Sequence, residues 1–205
     1  MPDRLRPLWD FDDLDGTERR LREQLERETS DAGRAEVLTQ LARVQGLRDD
    51  FDACEELLQE AELLAGNDGL VRVRIELERG RKLRSSGDGA AAVPLFESAF
   101  ARARDLGEFF LAGDAAHMVA ISDAGRMLEW TQRGLELGES EADAAYWPGP
   151  LLNNLGWHYF ETGELEAALE TFERALEVRK RDPDNPQAIE WAQEAVDEAR
   201  KALGR

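Results

Sequence analysis

One pattern recurs four times along this chain and restricts its fold more than any other feature. A small residue sits in a stretch of helical spacing, a polar or glycine break follows, and small and bulky apolar residues then return three and four positions apart. The clearest copy is LLNNLGWHYFETGELEAALETFERA, residues 151–175. Leu152, Leu155, Gly156 and Tyr159 share one helical face, Gly163 breaks the helix, and Ala168, Phe172 and Ala175 share a face of the next. Small residues let two helices of a hairpin approach closely, and the aromatic residues fill the space beside them.

Earlier copies follow the same order. Leu38, Leu41 and Ala42 precede Asp49-Asp50, and then come Cys54, Leu58 and Ala61. Gly80 and Leu83 precede Gly87-Asp88, and then come Ala92, Phe96 and Ala99. Leu111, Ala115 and Met118 precede Ser122-Asp123, and then come Met127, Thr131 and Gly134. The first-helix markers Ala42, Gly80, Ala115 and Gly156 are spaced 38, 35 and 41 residues apart. A helix pair of this kind cannot bury its apolar face alone, so copies must stack. The ends supply lids for the stack. Asp15 and Glu18 read as a capping pair opening a helix over 15–29. Asn185-Pro186 opens another over 185–204, with Ile189, Ala192, Val196, Ala199 and Leu203 on one stripe. The expectation is one domain over 1–205, of about ten helices, with four repeats from about 35 to 182.

The fourth copy resembles the tetratricopeptide pattern W-x2-L-G-x2-Y…A-x3-F-x2-A, with Leu152 in the Trp position. The basic unit of that family is about 34 residues. The proline usual near the end of each unit is replaced by Gly66, Arg104, Glu139 and Lys180. The longer period is similar to that of the kinesin-light-chain-like relatives. The resemblance implies an all-α fold, a right-handed α-solenoid with N- and C-terminal capping helices, serving as a protein- or peptide-binding adaptor or scaffold. Two other functions fit the same fold: a peptide-responsive sensor acting through a partner, and a self-assembling structural module.

Charge and motif content narrow the function classes. The net charge of −18 repels a phosphate backbone, so nucleic acid is not an expected partner. No run reaches the roughly 20 apolar residues that a membrane helix needs, and MPDRLRPLWDFDDLDG lacks the apolar core of a signal peptide. With Cys54 the sole cysteine, these features point to the cytoplasm. Motifs for phosphate loops, nucleophile elbows, zinc proteases and C-x-x-C sites are absent, so neither an enzyme nor a cofactor is expected. WDFDDLDGTERRLRE evokes a calcium loop, but setting Gly16 at loop position six puts Phe11 and Arg22 where carboxylates are required. His117 and His158 occupy equivalent repeat positions. They read either as buried hydrogen-bonded residues or as a metal pair, and no metal is expected.

In the resembled family the first helix of each unit lines a concave face. Carrying over its exposed positions gives Arg43; Arg74, Arg81 and Arg84; Ala116 and Val119; and Asn153, Trp157 and Phe160. The helix over 71–84 carries six basic residues against Glu76 and Glu78, a local excess of positive charge. Arginine forks match carboxylates, and aromatic side chains supply apolar contact at low entropic cost. The expected ligand is a peptide with an acidic residue near an apolar one. The alternative is that these arginines pair with acids of adjacent helices and that Trp157 belongs to the core. Thr39, Arg43, Glu78, Phe109 and Gly113 stand where the chaperone-adaptor type carries its carboxylate clamp, so that specialised function is not expected. Trp9, Phe11, Tyr146 and Trp147 fall outside the repeat pattern and are expected to cover the solenoid from within the same chain. A monomer follows, with a homodimer as the alternative.

Overall fold

The computed structural model describes residues 3–182 and 185–205, which form ten α-helices and no strand. They are α1 (Leu14–Arg27), α2 (Asp31–Leu47), α3 (Phe51–Ala65), α4 (Gly69–Ser85), α5 (Gly89–Leu106), α6 (Phe109–Ser122), α7 (Met127–Ser140), α8 (Pro148–Thr162), α9 (Leu165–Arg179) and α10 (Pro186–Ala202). Residues 1–2 and 183–184, included in the single-domain expectation, lie outside the described residues.

Turn chemistry sets the helix starts. Asp50, Asp68 and Asp88 precede α3, α4 and α5, and each carboxylate accepts a backbone N–H three residues on. α1 corrects the sequence expectation: its N-cap is Asp13, whose carboxylate accepts from the Gly16 N–H, not Asp15. Asp15 and Glu18 both bind Arg48 just beyond α2, fastening the first helix to the solenoid. At the far end of α8, Gly163 takes φ +85°, a left-handed conformation that closes the helix.

The hairpins α2/α3, α4/α5, α6/α7 and α8/α9 stack so that α2, α4, α6 and α8 form an inner layer. α1 covers α2 at one end and α10 packs on α9 at the other, completing an all-α solenoid. The small-residue register works through aromatic rings. A Cβ on Gly80 would lie 2.4 Å from Phe96 Cε1, and one on Gly156 would lie 2.4 Å from Phe172 Cε1. The sequence pattern suggests Ala168 opposite Gly156. The tightest neighbour is instead Phe172, one turn further along α9, because the ring spans the gap that two small residues leave.

The long third spacing has a structural cause. Between α7 and α8 the chain makes an additional 3-10 turn, Ala142–Ala144, and then turns Tyr146 and Trp147 back over α6. Trp147 is 8% exposed and lies against Gly113, whose absent Cβ would meet the indole at 2.1 Å. The connector thereby covers the middle of the inner layer.

Candidate functional site

The inner layer is not an empty trough. Residues 3–11 cross it as a strap with a single 3-10 turn, Arg6–Leu8. Asp3 receives a two-pronged bond from the Arg74 guanidinium at 3.1 and 2.8 Å, a pairing of residues 71 apart in sequence. Glu36 accepts from Arg4 at 3.1 Å and also faces Arg74. Leu5 is buried in the core formed by Leu21, Leu38, Val71 and Ile75. The Trp9 indole N–H donates to Gln40 at 2.9 Å, and its ring stacks on Phe11 with centroids 5.0 Å apart. On the α1 side, Thr17 Oγ1 bonds both the N–H and the carbonyl of Asp10, and Arg20 donates to the Leu8 carbonyl.

Deeper in the layer lies an ionic cluster. Arg81 of α4 binds Glu78 at 2.6 Å and binds Asp114 of α6 across the helix gap. Burial opposes ionisation of Asp114, but the Arg81 guanidinium outweighs it and holds that carboxyl below its usual range. Glu78 differs: burial raises its pKa despite Arg81 and Arg43. Burial pushes Asp3 upward too, and its bond to Arg74 more than reverses the effect.

Arg43 stands apart from this pairing. Its guanidinium lies over the rings of Trp9 and Phe11, at 5.2 and 5.5 Å from their centroids. Its Nε is buried without a partner, and among the described residues it forms no ion pair. Burial and the nearby Arg81 lower its pKa. Beyond the stacked rings it opens into a cavity of about 210 Å³ at the C-terminal ends of α2, α4 and α6, lined also by Arg84, Met118 and Ile121. Arg84 is exposed and, among the described residues, likewise without an ion-pair partner.

These positions correct the carried-over surface. Arg74 is 4% exposed, its two terminal nitrogens bond Asp3 and its Nε stands 3.3 Å from Glu36 as an ion pair without a hydrogen bond, so it is part of the structure holding the strap. Arg81 is committed to Glu78 and Asp114. Ala116 and Val119 are fully buried and cannot touch a ligand. They lie in the central core with Trp147 and Leu151, under the connector that the repeat pattern does not contain. Trp157 and Phe160 are half-buried, 5.4 Å apart edge to face, with Trp157 also against Phe172. Asn153 is partly exposed beside them on α8. Sequence reasoning missed Gln40, Asp114 and Asn154. Gln40 was detectable only once Trp9 was placed on α2, and Asp114 only by its charge in an otherwise apolar run.

His117 is partly enclosed on α6, and the Asn154 amide donates to its Nε2 at 2.8 Å. Burial depresses its pKa to about 4, with Arg81 and Arg84 opposing its charge further against the attraction of Asp114. Among the described residues no group of three His, Cys, Asp or Glu side chains is placed to hold a metal. Cys54 is buried in the first hairpin, and burial raises its thiol pKa to about 11, far from a reactive thiolate. No described helix is long and apolar enough to cross a membrane.

Comparison with known proteins agrees with this architecture. Models of the tetratricopeptide repeat match residues 35–60 and 149–182. The crystal structure of BtubC (BKLC) from P. vanneervenii superposes with a TM-score of 0.66 over 93% of this chain and 84% of that chain, at 18% identity. At that identity the likeness speaks for the fold alone. No curated protein sequence matches the chain.

Proposed function

We propose that this chain, a tetratricopeptide-repeat protein and hence an interaction scaffold, binds a partner segment at the cavity where α2, α4 and α6 end. Arg43 carries the reading. It is a planar five-donor cation, oriented by two stacked rings, forming no ion pair among the described residues and opening on a cavity that Glu78 also lines. The Arg43 Nε is buried without a partner, which costs free energy that an incoming acid recovers. Arg84 adds a second cation without an ion pair among the described residues, while Met118 and Ile121 offer apolar contact beside it. The ligand chemistry is therefore a carboxylate with an apolar neighbour, presented by a protein or peptide. In this reading the exposed parts of Asn153, Trp157 and Phe160 lengthen the surface along α8. The function is non-catalytic, and the chain works as a monomer, since Trp9, Tyr146 and Trp147 are folded onto its own helices, while Phe11, expected to join them, stacks on Trp9 and stays 46% exposed.

The test starts by capturing a partner with the purified chain and titrating it at low and high salt. Binding should weaken as salt rises, because opposite charges steer encounter and are screened. Arg84→Glu should bind less well than Arg84→Ala, since it adds repulsion to the loss of attraction. If Arg43→Gln and Arg84→Glu are folded and bind like the parent at both salt concentrations, the partner uses another surface.

A further inference from the structure

We infer that residues 3–11 are a curvature clasp, tying the first two repeats to the fourth across the inner layer. The grip on the early repeats is set by Asp3 on Arg74 of α4 and Trp9 on Gln40 of α2. The third point reaches much further. Arg6 lies over the ring of Tyr146 in the α7–α8 connector, 5.4 Å from its centroid. Arg179, at the end of α9, lies 5.1 Å from the same ring. Tyr146 thus stands between a guanidinium of the strap and one of the fourth hairpin, and each cation–π contact favours the closed arrangement.

Neighbouring repeats in a solenoid touch only each other, so curvature is the sum of small rotations at successive interfaces. A link that skips from the first repeats to the fourth constrains that sum directly. Two features assign the strap to this role. Arg6 is exposed, and its ring contacts are with Phe11 of the strap itself and with Tyr146. Arg179 also fills the space above Gly149, where a Cβ would lie 2.6 Å from its Nε, so its position on Tyr146 is fixed by the packing of α8 on α9. Exposed cation–π contacts are weak, which makes this link the one to yield while the buried Asp3–Arg74 bond holds. The inference does not depend on the ligand cavity proposed above.

The experiment places spin labels on cysteines introduced at Leu63 of α3 and Trp191 of α10, which are 86% and 61% exposed. Cys54 is buried and stays unlabelled under native conditions. The full chain should give one narrow distance distribution. Tyr146→Leu and Arg6→Ala should each broaden it, raising the ratio of open to closed molecules about two- to fivefold, with helicity by circular dichroism unchanged. Asp3→Lys sets two cations together and should release the whole strap, visible as faster amide exchange in residues 3–11 and a wholly open distribution. Arg6→Lys keeps the charge but not the planar stacking and should fall between parent and Arg6→Ala. A parent-like distribution in Asp3→Lys with its strap shown to be released overturns the clasp. So does a parent-like distribution in both Arg6→Ala and Tyr146→Leu.

Discussion

At the scale of single residues, identical glycines carry opposite consequences. Gly156 and Gly46 both lie inside helices, where alanine is favoured over glycine by about 1 kcal/mol. At Gly46 an added Cβ meets only Cys54 Sγ at 3.7 Å, an ordinary contact. Gly46→Ala should therefore stabilise the protein by a few tenths to about 1 kcal/mol. At Gly156 the same methyl falls 2.4 to 3.0 Å from the ring of Phe172, which is fully buried and has nowhere to move. Overpacking of that kind costs roughly 1–3 kcal/mol and outweighs the helix gain. Urea denaturation of the two variants should shift in opposite directions, and equal shifts would contradict the packing described for the fourth hairpin. His117 gives a second residue-scale test. Its folded pKa is about 4 and its ordinary value 6.5. Between those values the unfolded chain binds a proton that the native state refuses, so stability falls as pH drops through this window and levels off below it. The loss is about 3 kcal/mol by the linkage relation. His117→Gln should flatten the pH dependence between 6.5 and 4 relative to the parent.

At the scale of elements, the connector over 141–147 decides how much of the inner layer is open. Trp147 packs on Phe110, His117 and Gly113, and its removal should cost about 3–5 kcal/mol. Gly113→Ala alone drives a methyl into the indole. In a Trp147→Ala background the obstacle is gone, and Gly113→Ala becomes neutral or stabilising through helix propensity. The double-mutant cycle should show a coupling of at least about 1 kcal/mol, and additivity would mean that the connector lies elsewhere. This element also marks the boundary of what the sequence makes legible. The hairpins are readable because Gly80 with Phe96 and Gly156 with Phe172 recur at the spacing that helix pairs demand. The exposure of the inner face is not readable, because what covers it lies outside the repeat. Arg74 and Asp3 share no local pattern, yet the 71-residue bond between them turns an expected ligand contact into a structural one. Ala116 and Val119 have the composition of a groove floor and are core for the same reason. Register puts Arg43 on α2 of the inner layer, but only the structure shows its Nε buried without a partner. The first helix was legible, although its cap at Asp13 was displaced by the more regular Asp15–Glu18 spacing.

At the scale of the whole molecule, the core is segmented. One cluster joins the strap and α1 to α4; a small one of Ala42, Cys54 and Leu58 sits within the first hairpin; another fills the middle from Val73 to Leu151; and one belongs to α8, α9 and α10. Stability in such an array is close to a sum of repeat and nearest-neighbour terms, so opening need not be global. The C-terminal unit is the weakest by this reckoning. α10 packs on α9, and the fully buried part of its apolar stripe is alanine and Val196, with Ile189 and Leu203 only partly covered. Alanine buries little area, and each buried methylene contributes about 0.8 kcal/mol. By contrast, α4 and α6 are enclosed by helices, strap and connector on several sides. Native-state amide exchange should show α9 and α10 opening together at a free energy below that of α4 and α6. The Gly156→Ala variant sharpens the point, because its clash lies within the C-terminal cluster. It should lower the opening free energy of α8 to α10 while leaving the α4 amides close to their parent values. Gly80→Ala, clashing with Phe96 in the central core, should lower protection across the whole chain. Uniform loss of protection in both variants would mean that the four repeats unfold as one cooperative unit despite their divided cores.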